Sequence, residues 1–311
     1  MNKMQVAVTG GAGFIGKALL NALADAGLQV RALENRSPVL SHKNITPIKG
    51  SLTDTAALQE LVKGCDAVIH AAGLVAARKG RAFYDVNTEG TRRLAQIAAY
   101  ENCPRFLLVS SLSAREAGLS HYGNSKKRAE HALAEMPDIG WDVIRPPAVY
   151  GPEDTQFLEL IKMIKGGRVF LPAGRQARAS IIYVDDLVAA VKAWALSGQT
   201  KQKVYEIDDG TPEGYLWQDV IGYVATAVGT KPKVVVPPKM TLRLLSYASW
   251  LSGFVSRKAP LLPPEKMRQL CHADWVCRKS DFPADFGWQP EVKGEKGFAQ
   301  TVAWYKGRNL L

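Results

Sequence analysis

The sequence predicts an α/β fold, built on a doubly wound parallel sheet with a smaller C-terminal region interleaved with it. Two observations lead to this prediction. Short apolar segments alternate with segments of helical periodicity through the first half of the chain, a pattern typical of parallel sheets covered by helices. A glycine-rich turn also joins the first apolar segment to the first helical one, as in the strand-to-helix turns of such sheets.

The predicted strands are six short segments rich in apolar and β-branched residues. They span residues 5–9, 29–34, 45–49, 67–70, 106–110 and 141–144. The predicted helices that separate them span residues 15–26, 56–63, 83–101 and 121–135. Because parallel strands end at the same edge of the sheet, polar groups that follow different strands meet there, and ligands of doubly wound sheets bind at that edge.

The glycine-rich turn after the first strand predicts a phosphate-binding loop. Glycine permits a tight turn and a close approach of the backbone to a pyrophosphate, and the N-terminus of the next helix offers unpaired N–H groups to the same anion. The sequence therefore predicts a dinucleotide site formed by Gly10, Gly13, Phe14, Ile15 and Gly16.

Tyr122 and Lys126 form the second chemical motif. Residues four apart on a helix lie on the same face, so the ammonium is expected near the phenol, where it favours the ionised form and makes the phenol a usable acid or base. Ser111, directly after a predicted strand, could hold a substrate oxygen. This combination indicates redox chemistry with a proton transfer.

Together with these residues, several other motifs resemble the extended short-chain dehydrogenase/reductase family, also called the NAD-dependent epimerase/dehydratase family. The resemblance extends over nearly the whole chain. Its motifs are residues 9–16 (TGGAGFIG), 70–73 (HAAG), 86–91 (VNTEGT), 145–152 (RPPAVYGP) and 183–186 (YVDD).

The resemblance implies a Rossmann-type domain and a role for each motif. Tyr122 would be the acid/base, Lys126 would bind the nicotinamide ribose and tune the phenol, and Ser111, with Ser110 and Ser113 as alternatives, would orient the substrate carbonyl. Further cofactor contacts are expected from residues that follow strands or line the same edge, namely Ala71, Ala72, Gly73, Asn87, Pro146 and Val149. A homodimer through the helices at residues 83–101 and 121–135 is also implied.

Glu34, at the end of the second predicted strand, favours NAD. An acidic side chain there can accept both ribose hydroxyls and repel a 2′-phosphate. Arg31 and Arg36 lie close in sequence and could clamp that phosphate instead, so NADP stays an alternative.

Three function classes are compatible with these motifs. The first is a dehydrogenase or reductase that moves hydride between nicotinamide and a secondary alcohol or ketone. The second is a nucleotide-sugar epimerase that uses the same three residues, and the third is a cofactor-binding subunit without catalysis. We expect residues 1–150, with return elements around 178–196, to bind the dinucleotide, and residues 151–311 to form the substrate region.

The composition indicates a globular protein without a membrane span. A hydrophobic content of 47% is sufficient for a sizeable core, and no apolar run has the 18 residues expected of a membrane span. A cytoplasmic location is therefore expected. The four cysteines lack zinc-ligand spacing, so reduced thiols and no bound metal are expected.

The net charge of +11 is concentrated near the C-terminus, where residues 231–311 contain 14 Lys or Arg and 6 Asp or Glu. A solvated face is one interpretation and an anionic partner another; without an Arg/aromatic motif, no nucleic-acid partner is expected. Within this region, residues 240–258 form an apolar helical stripe of Met240, Leu244 and Tyr247, continued at positions 251 and 254. This helix is either a lid packed on the substrate domain or a peripheral membrane contact.

Overall fold

The structure is a computed structural model that describes residues 3–256 and 263–311. Its centre is a parallel sheet of the strands β1 (Gln5–Thr9), β2 (Gln29–Glu34), β3 (Ile45–Lys49), β4 (Ala67–His70), β5 (Arg105–Val109), β6 (Gly140–Arg145) and β11 (Val204–Glu206). These seven strands lie in the order β3-β2-β1-β4-β5-β6-β11. The predicted fold class, a doubly wound parallel sheet with flanking helices, is confirmed.

The other strands in the part of the chain that the structure describes are short. They are β7 (Ala148–Tyr150), β8 (Arg168–Phe170), β9 (Arg178–Ala179), β10 (Ile181–Tyr183), β12 (Tyr215–Leu216), β13 (Lys233–Val235) and β14 (Asp274–Trp275). They form smaller sheets in the pairings β10-β7, β12-β9-β14 and β13-β8.

The helices alternate with the strands of the large sheet and then dominate the second half. They are α1 (Phe14–Asp25), α2 (Thr55–Val62), α3 (Gly80–Phe83), α4 (Glu89–Tyr100), α5 (His121–Ala134), α6 (Thr155–Lys165), α7 (Val184–Ser197), α8 (Trp217–Val228), α9 (Lys239–Ser256), α10 (Pro264–Leu270), α11 (Phe282–Phe286) and α12 (Gly294–Gly307). None of the helices in the described part of the chain is long and apolar enough to cross a bilayer.

The chain divides into two compact units. The first contains Met1–Arg145, Val188–Glu206 and Ser280–Trp288, and the second contains Pro146–Leu187, Ile207–Lys279 and Gln289–Leu311. The chain thus leaves the first unit after Arg145 and returns twice. The expected assignment of dinucleotide binding to residues 1–150 and of substrate binding to residues 151–311 stays a prediction about function.

The core of the first unit explains why alternating apolar segments become a parallel sheet. Every residue of β5 is buried, and one buried cluster joins β1, β4 and β5 to α2, α4 and α5. A strand covered by helices on its faces needs apolar side chains in both directions, which is why these segments are continuously apolar. The six predicted strands match the observed ones to within one residue at each end.

Two predicted elements are interrupted. The expected helix at residues 83–101 contains a π-helical turn at Tyr84–Thr88 between α3 and α4, where Thr91 Oγ1 donates to the Asn87 carbonyl at 2.6 Å. The first of the return elements expected around residues 178–196 is split into β9 and β10, which belong to different sheets. Ser180 lies between them, and its hydroxyl donates to Asp208 Oδ2 at 2.5 Å.

Candidate active site

The glycine loop after β1 is shaped by close backbone contacts. Gly10 has a φ of +82°, and a Cβ atom there would lie 2.6 Å from the Ala72 nitrogen. A Cβ atom on Gly16 would lie 1.9 Å from the Gly10 carbonyl oxygen. Neither position has room for a side chain, and the positive φ at Gly10 disfavours any other residue.

The first turn of α1 offers free amides to an anion. Gly13 is the N-cap residue and has no side chain that could accept hydrogen bonds from them, and the first-turn N–H groups of a helix have no intrahelical acceptor. Phe14 and Ile15 are half-buried on this turn, and Gly13 is exposed. The positive N-terminal end of the helix and the absence of a side chain at Gly13 both suit a bound pyrophosphate.

The loop after β4 lies against the glycine loop. Ala71 N donates to the Thr9 carbonyl at 3.2 Å, and Ala72 N donates to Thr9 Oγ1 at 3.3 Å. Gly73 follows, and a Cβ atom there would lie 3.0 Å from Lys126 Nζ. The structure therefore brings the expected cofactor residues of two loops together with Lys126.

Tyr122 lies in the first turn of α5. Ser120 caps this helix, since its Oγ accepts from Gly123 N at 3.0 Å. The phenol ring is half-buried and meets the Phe83 ring edge to face, with centroids 6.1 Å apart. Burial raises the pKa of Tyr122, and side-chain hydrogen bonding with Ser111 lowers it.

Lys126 is buried one turn further along α5. Its Nζ donates to the Val109 carbonyl, at the end of β5, at 3.0 Å. Burial lowers the pKa of this ammonium to about 8, against the opposing effect of the Glu130 carboxylate. The causes of the pKa shift of Tyr122 are burial and Ser111, and the expected influence of Lys126 on the ionised phenol stays a prediction.

The three candidate serines have different partners. Ser110 Oγ donates to the buried Glu130 carboxylate at 2.6 Å, so its hydroxyl is held away from Tyr122. Ser113 contributes its backbone N–H to Ser111 Oγ at 3.2 Å. Ser111 is the serine whose hydroxyl interacts with the phenol, and it is the best placed of the three to share a substrate oxygen with it.

Asn87 is buried beneath these residues and connects their elements. Its amide accepts from Leu74 N at 2.7 Å and donates to the Leu74 carbonyl at 3.1 Å. The same amide donates to Ser125 Oγ at 2.9 Å, and Ser125 Oγ in turn donates to the Tyr122 carbonyl at 2.8 Å. Its expected contact with the cofactor stays a prediction.

His70 continues this buried network toward the glycine loop. Its Nδ1 lies 2.6 Å from Thr9 Oγ1 and its Nε2 lies 3.0 Å from Thr91 Oγ1. Burial, assisted by the Lys126 charge, lowers the pKa of His70 to about 3, so the imidazole is neutral at physiological pH. Thr9, Thr91 and Ser125 were not among the predicted site residues, because a lone hydroxyl in a sequence carries no signal of its partner.

A buried ion cluster lies beside Lys126. Glu130 Oε2 accepts from the Arg145 guanidinium at 2.6 Å and Oε1 accepts a second bond at 2.8 Å. Glu206 Oε2, at the end of β11, accepts from Arg115 at 3.0 Å. A bidentate pair of this kind is specific in geometry, and removal of one partner would leave a buried charge uncompensated. In the sequence, the spacing of four residues between Lys126 and Glu130 is the feature from which a carboxylate beside Lys126 could have been predicted.

Glu34 and Arg31 have separate environments. Glu34 Oε2 accepts from Val39 N at 3.0 Å, which orients the carboxylate at the end of β2. Arg31 donates to the Glu60 and Lys63 carbonyls, at the C-terminal end of α2, at 2.9 and 2.6 Å. The expectation that Arg31 could clamp a phosphate is therefore wrong in this structure, whereas Arg36 is exposed.

Two expected cofactor residues belong to the second unit. Pro146 is buried and Val149 is half-buried in β7, where Val149 pairs with Ile182 of β10. Their contact with a cofactor stays a prediction. Within the described residues, no cluster of three His, Cys, Asp or Glu side chains could hold a metal ion.

Comparison with known proteins shows what this arrangement is similar to. Residues 6–208 match the sequence profile of the NAD dependent epimerase/dehydratase family. A ceramide reductase of Caulobacter vibrioides is 34% identical over 98% of this chain and 96% of its own length. A 2-alkyl-3-oxoalkanoate reductase of Stenotrophomonas maltophilia is 27% identical over 96% of this chain and 99% of its own. The fold is shared with MoeE5 in complex with UDP-glucuronic acid and NAD, at a TM-score of 0.76, 21% identity, and coverage of 98% and 99% of the two chains.

The neutral His70 makes stability depend on pH. Its pKa is about 3 in the folded protein, against an ordinary 6.5, so between these values the unfolded chain binds a proton that the folded chain does not. The free energy of unfolding should therefore fall as pH drops from about 6.5, by up to about 1.4 kcal/mol per pH unit from this group. His70→Gln removes the titration, and urea denaturation of both proteins across this range should show a shallower slope for the variant. Equal slopes would contradict the assignment.

Proposed function

The chain belongs to the NAD-dependent epimerase/dehydratase family, and from this premise we propose that it is a reductase of a ketone on an apolar substrate with alkyl chains. It is an NAD-dependent enzyme. The observation that carries the proposal is the grouping of Ser111, Tyr122 and Lys126 at the carboxyl edge of the same sheet that carries the glycine loop. This grouping supplies a proton donor, a hydroxyl and a buried cation beside a dinucleotide cradle.

The proposed reaction follows from the protonation state and the hydrogen bonding of each side chain. NAD in its reduced form supplies the hydride when bound. Tyr122 donates the proton to the carbonyl oxygen, and burial, by raising the pKa of the phenol, keeps it in the protonated form that a reduction requires. Ser111 holds the same oxygen by a hydrogen bond, and Lys126 would hold the ribose hydroxyls of the bound cofactor with its ammonium.

Two relatives support the choice of substrate. The proteins that align over nearly the whole chain include reductases of ceramide and of a 2-alkyl-3-oxoalkanoate. Both names denote long or alkyl-substituted lipids. We therefore propose a lipid ketone, reduced to a secondary alcohol, as the substrate class.

The alternative activity, epimerisation of a nucleotide sugar, has less support. MoeE5, which binds UDP-glucuronic acid, shares the fold at low identity. An arginine side chain suits a diphosphate, but the Arg178 guanidinium of β9 donates to the Glu213 and Gly214 carbonyls at 2.8 and 3.3 Å. These backbone contacts engage the guanidinium.

One assay separates the two activities. The purified protein with NADH is offered long-chain 3-oxo lipids in detergent micelles and, separately, UDP-sugars. Oxidation of NADH with the lipids alone supports the reductase, because an epimerase returns the hydride and consumes no NADH. Interconversion of UDP-sugars without NADH consumption would overturn the proposal, and so would no turnover of either class together with tight NAD binding.

Tyr122→Phe should retain cofactor binding and lose turnover by about 100-fold or more, because the proton donor is removed while the glycine loop is unchanged. Initial rates and NADH affinity by fluorescence measure the two effects. Tyr100→Phe is the matched control, since that phenol is 74% exposed on α4. Near-normal turnover in Tyr122→Phe would reject the assigned acid/base.

Glu34→Ala should shift the cofactor preference from NAD toward NADP, because the carboxylate that repels a 2′-phosphate is lost while Arg36 is retained. Dissociation constants for both cofactors, measured by calorimetry, give the preference ratio. Glu60→Ala, an exposed carboxylate on α2, controls for the change in net charge. Tighter NADP than NAD binding by the unaltered protein would exclude this role for Glu34.

We further propose a cytoplasmic homodimer in which α4 and α5 of each subunit form a four-helix interface. The support is that Tyr122 and Lys126 lie on α5, which a partner helix would brace. Sedimentation velocity at micromolar concentration should give the mass of two chains. A monomer at that concentration would contradict the proposed homodimer and would leave the proposed reductase activity unaffected.

A further inference from the structure

The second unit carries exposed apolar side chains and exposed cations on the β8–β13 pair and on α9, which follows β13 directly in the chain. We define this basic–apolar face by Arg168, Phe170, Lys233, Arg243, Leu244 and Tyr247, and we propose that it docks on an anionic lipid bilayer. This inference concerns binding alone and does not rest on the proposed activity.

The first part of the face is the apolar stripe of α9. Met240, Leu244 and Tyr247 are 67%, 64% and 57% exposed, whereas Leu242 of the same helix is only 5% exposed. The interpretation of this stripe as a lid packed on the substrate domain is therefore wrong for these side chains. The side chains at positions 251 and 254, which continue the predicted stripe, and residues 257 and 258 of the predicted helix lie outside the described residues.

The exposure follows from how the helix is oriented. Leu242 and Ser246, four residues apart, form the buried side, and Met240, Leu244 and Tyr247 succeed one another at helical spacing on another side. Water contact with three large apolar side chains is unfavourable. A contiguous apolar stripe on a surface typically marks a binding site.

The second part of the face is the parallel pair of β8 and β13. Arg168 pairs with Lys233, and Phe170 pairs with Val235, so two cations are direct neighbours beside an aromatic ring that is 58% exposed. Like charges at paired positions repel each other. An anion bound at this site would offset the repulsion.

The distribution of charged residues along the chain favours an anionic partner. Residues 160–184 contain five Lys or Arg and no Asp or Glu, and residues 220–264 contain six Lys or Arg and no Asp or Glu. β8 belongs to the first segment, and β13 and α9 belong to the second. Pairing of β8 with β13 therefore brings together two segments that lack acidic residues.

A bilayer fits these features better than an acidic protein or RNA. A membrane surface offers anionic headgroups and a hydrocarbon layer at the same place, so Arg and Lys can bind the phosphates while the apolar stripe enters the acyl boundary. An acidic partner would leave Met240, Leu244 and Tyr247 without a complementary apolar surface.

The test is co-sedimentation of the full chain with vesicles of phosphatidylcholine and with vesicles of equal phosphatidylcholine and phosphatidylglycerol. The protein should sediment with the anionic vesicles only. Arg168→Glu/Lys233→Glu should weaken binding about tenfold or more, because each Lys or Arg near an anionic surface contributes strongly to attraction. Leu244→Ser/Tyr247→Ser should weaken binding without a change in net charge.

The control variant is Lys43→Glu/Lys49→Glu, which makes the same charge change at two exposed lysines of the first unit and should bind as the unaltered protein does. Thermal melting confirms that each variant is folded. The proposal is overturned if the protein binds neither kind of vesicle. It is also overturned if Arg168→Glu/Lys233→Glu and the control variant lose vesicle binding equally, or if Leu244→Ser/Tyr247→Ser binds the anionic vesicles as the unaltered protein does. Retention on polyglutamate or RNA by the unaltered protein, without vesicle binding, would assign the face to a different partner.

Discussion

The side-chain amide of Asn87 is the contact on which the geometry of the site depends. It is buried, and it uses both its oxygen and its nitrogen to join the loop after β4 to Ser125 of α5. Ser125 then contacts the carbonyl of Tyr122. A buried polar group is costly unless all its hydrogen bonds are made, so this amide holds the helix with Tyr122 and Lys126 at one position relative to the loop at Gly73. The π-helical turn that contains Asn87 is the local deformation that accompanies this role.

Burial also sets the charge state of the site. The same desolvation that lowers the pKa of His70 and Lys126 raises that of Tyr122, because it disfavours the charged form of each group. His70 is thereby a neutral hydrogen-bonding partner of Thr9 and Thr91, and the Tyr122 phenol is protonated. Lys126 retains a cation near neutral pH because Glu130 opposes the desolvation, and Glu130 is itself held by Arg145.

A lipid substrate and a lipid-binding surface would have a common physical cause. A ketone on a long alkyl chain resides in a bilayer because each buried methylene is favoured over water by about 0.8 kcal/mol. An enzyme that acts on such a molecule gains from residence at the membrane surface. The apolar stripe of α9 and the paired cations of β8 and β13 provide the two kinds of contact that such residence requires.

The amino-acid sequence by itself determined the architecture of the sheet, the glycine loop and the choice of Ser111, Tyr122 and Lys126 as candidate site residues. These features are encoded locally, because each can be recognised from a few residues. Examples are the periodicity of the strands, the absence of a side chain at Gly16 and the spacing of Tyr122 and Lys126. Tertiary structure decided the rest. Whether Arg31 faces a ligand or the end of α2, whether Tyr122 has a raised or lowered pKa, and whether the stripe of α9 is buried depend on burial and on partners distant in sequence. Desolvation and long-range hydrogen bonds act only once the chain has folded.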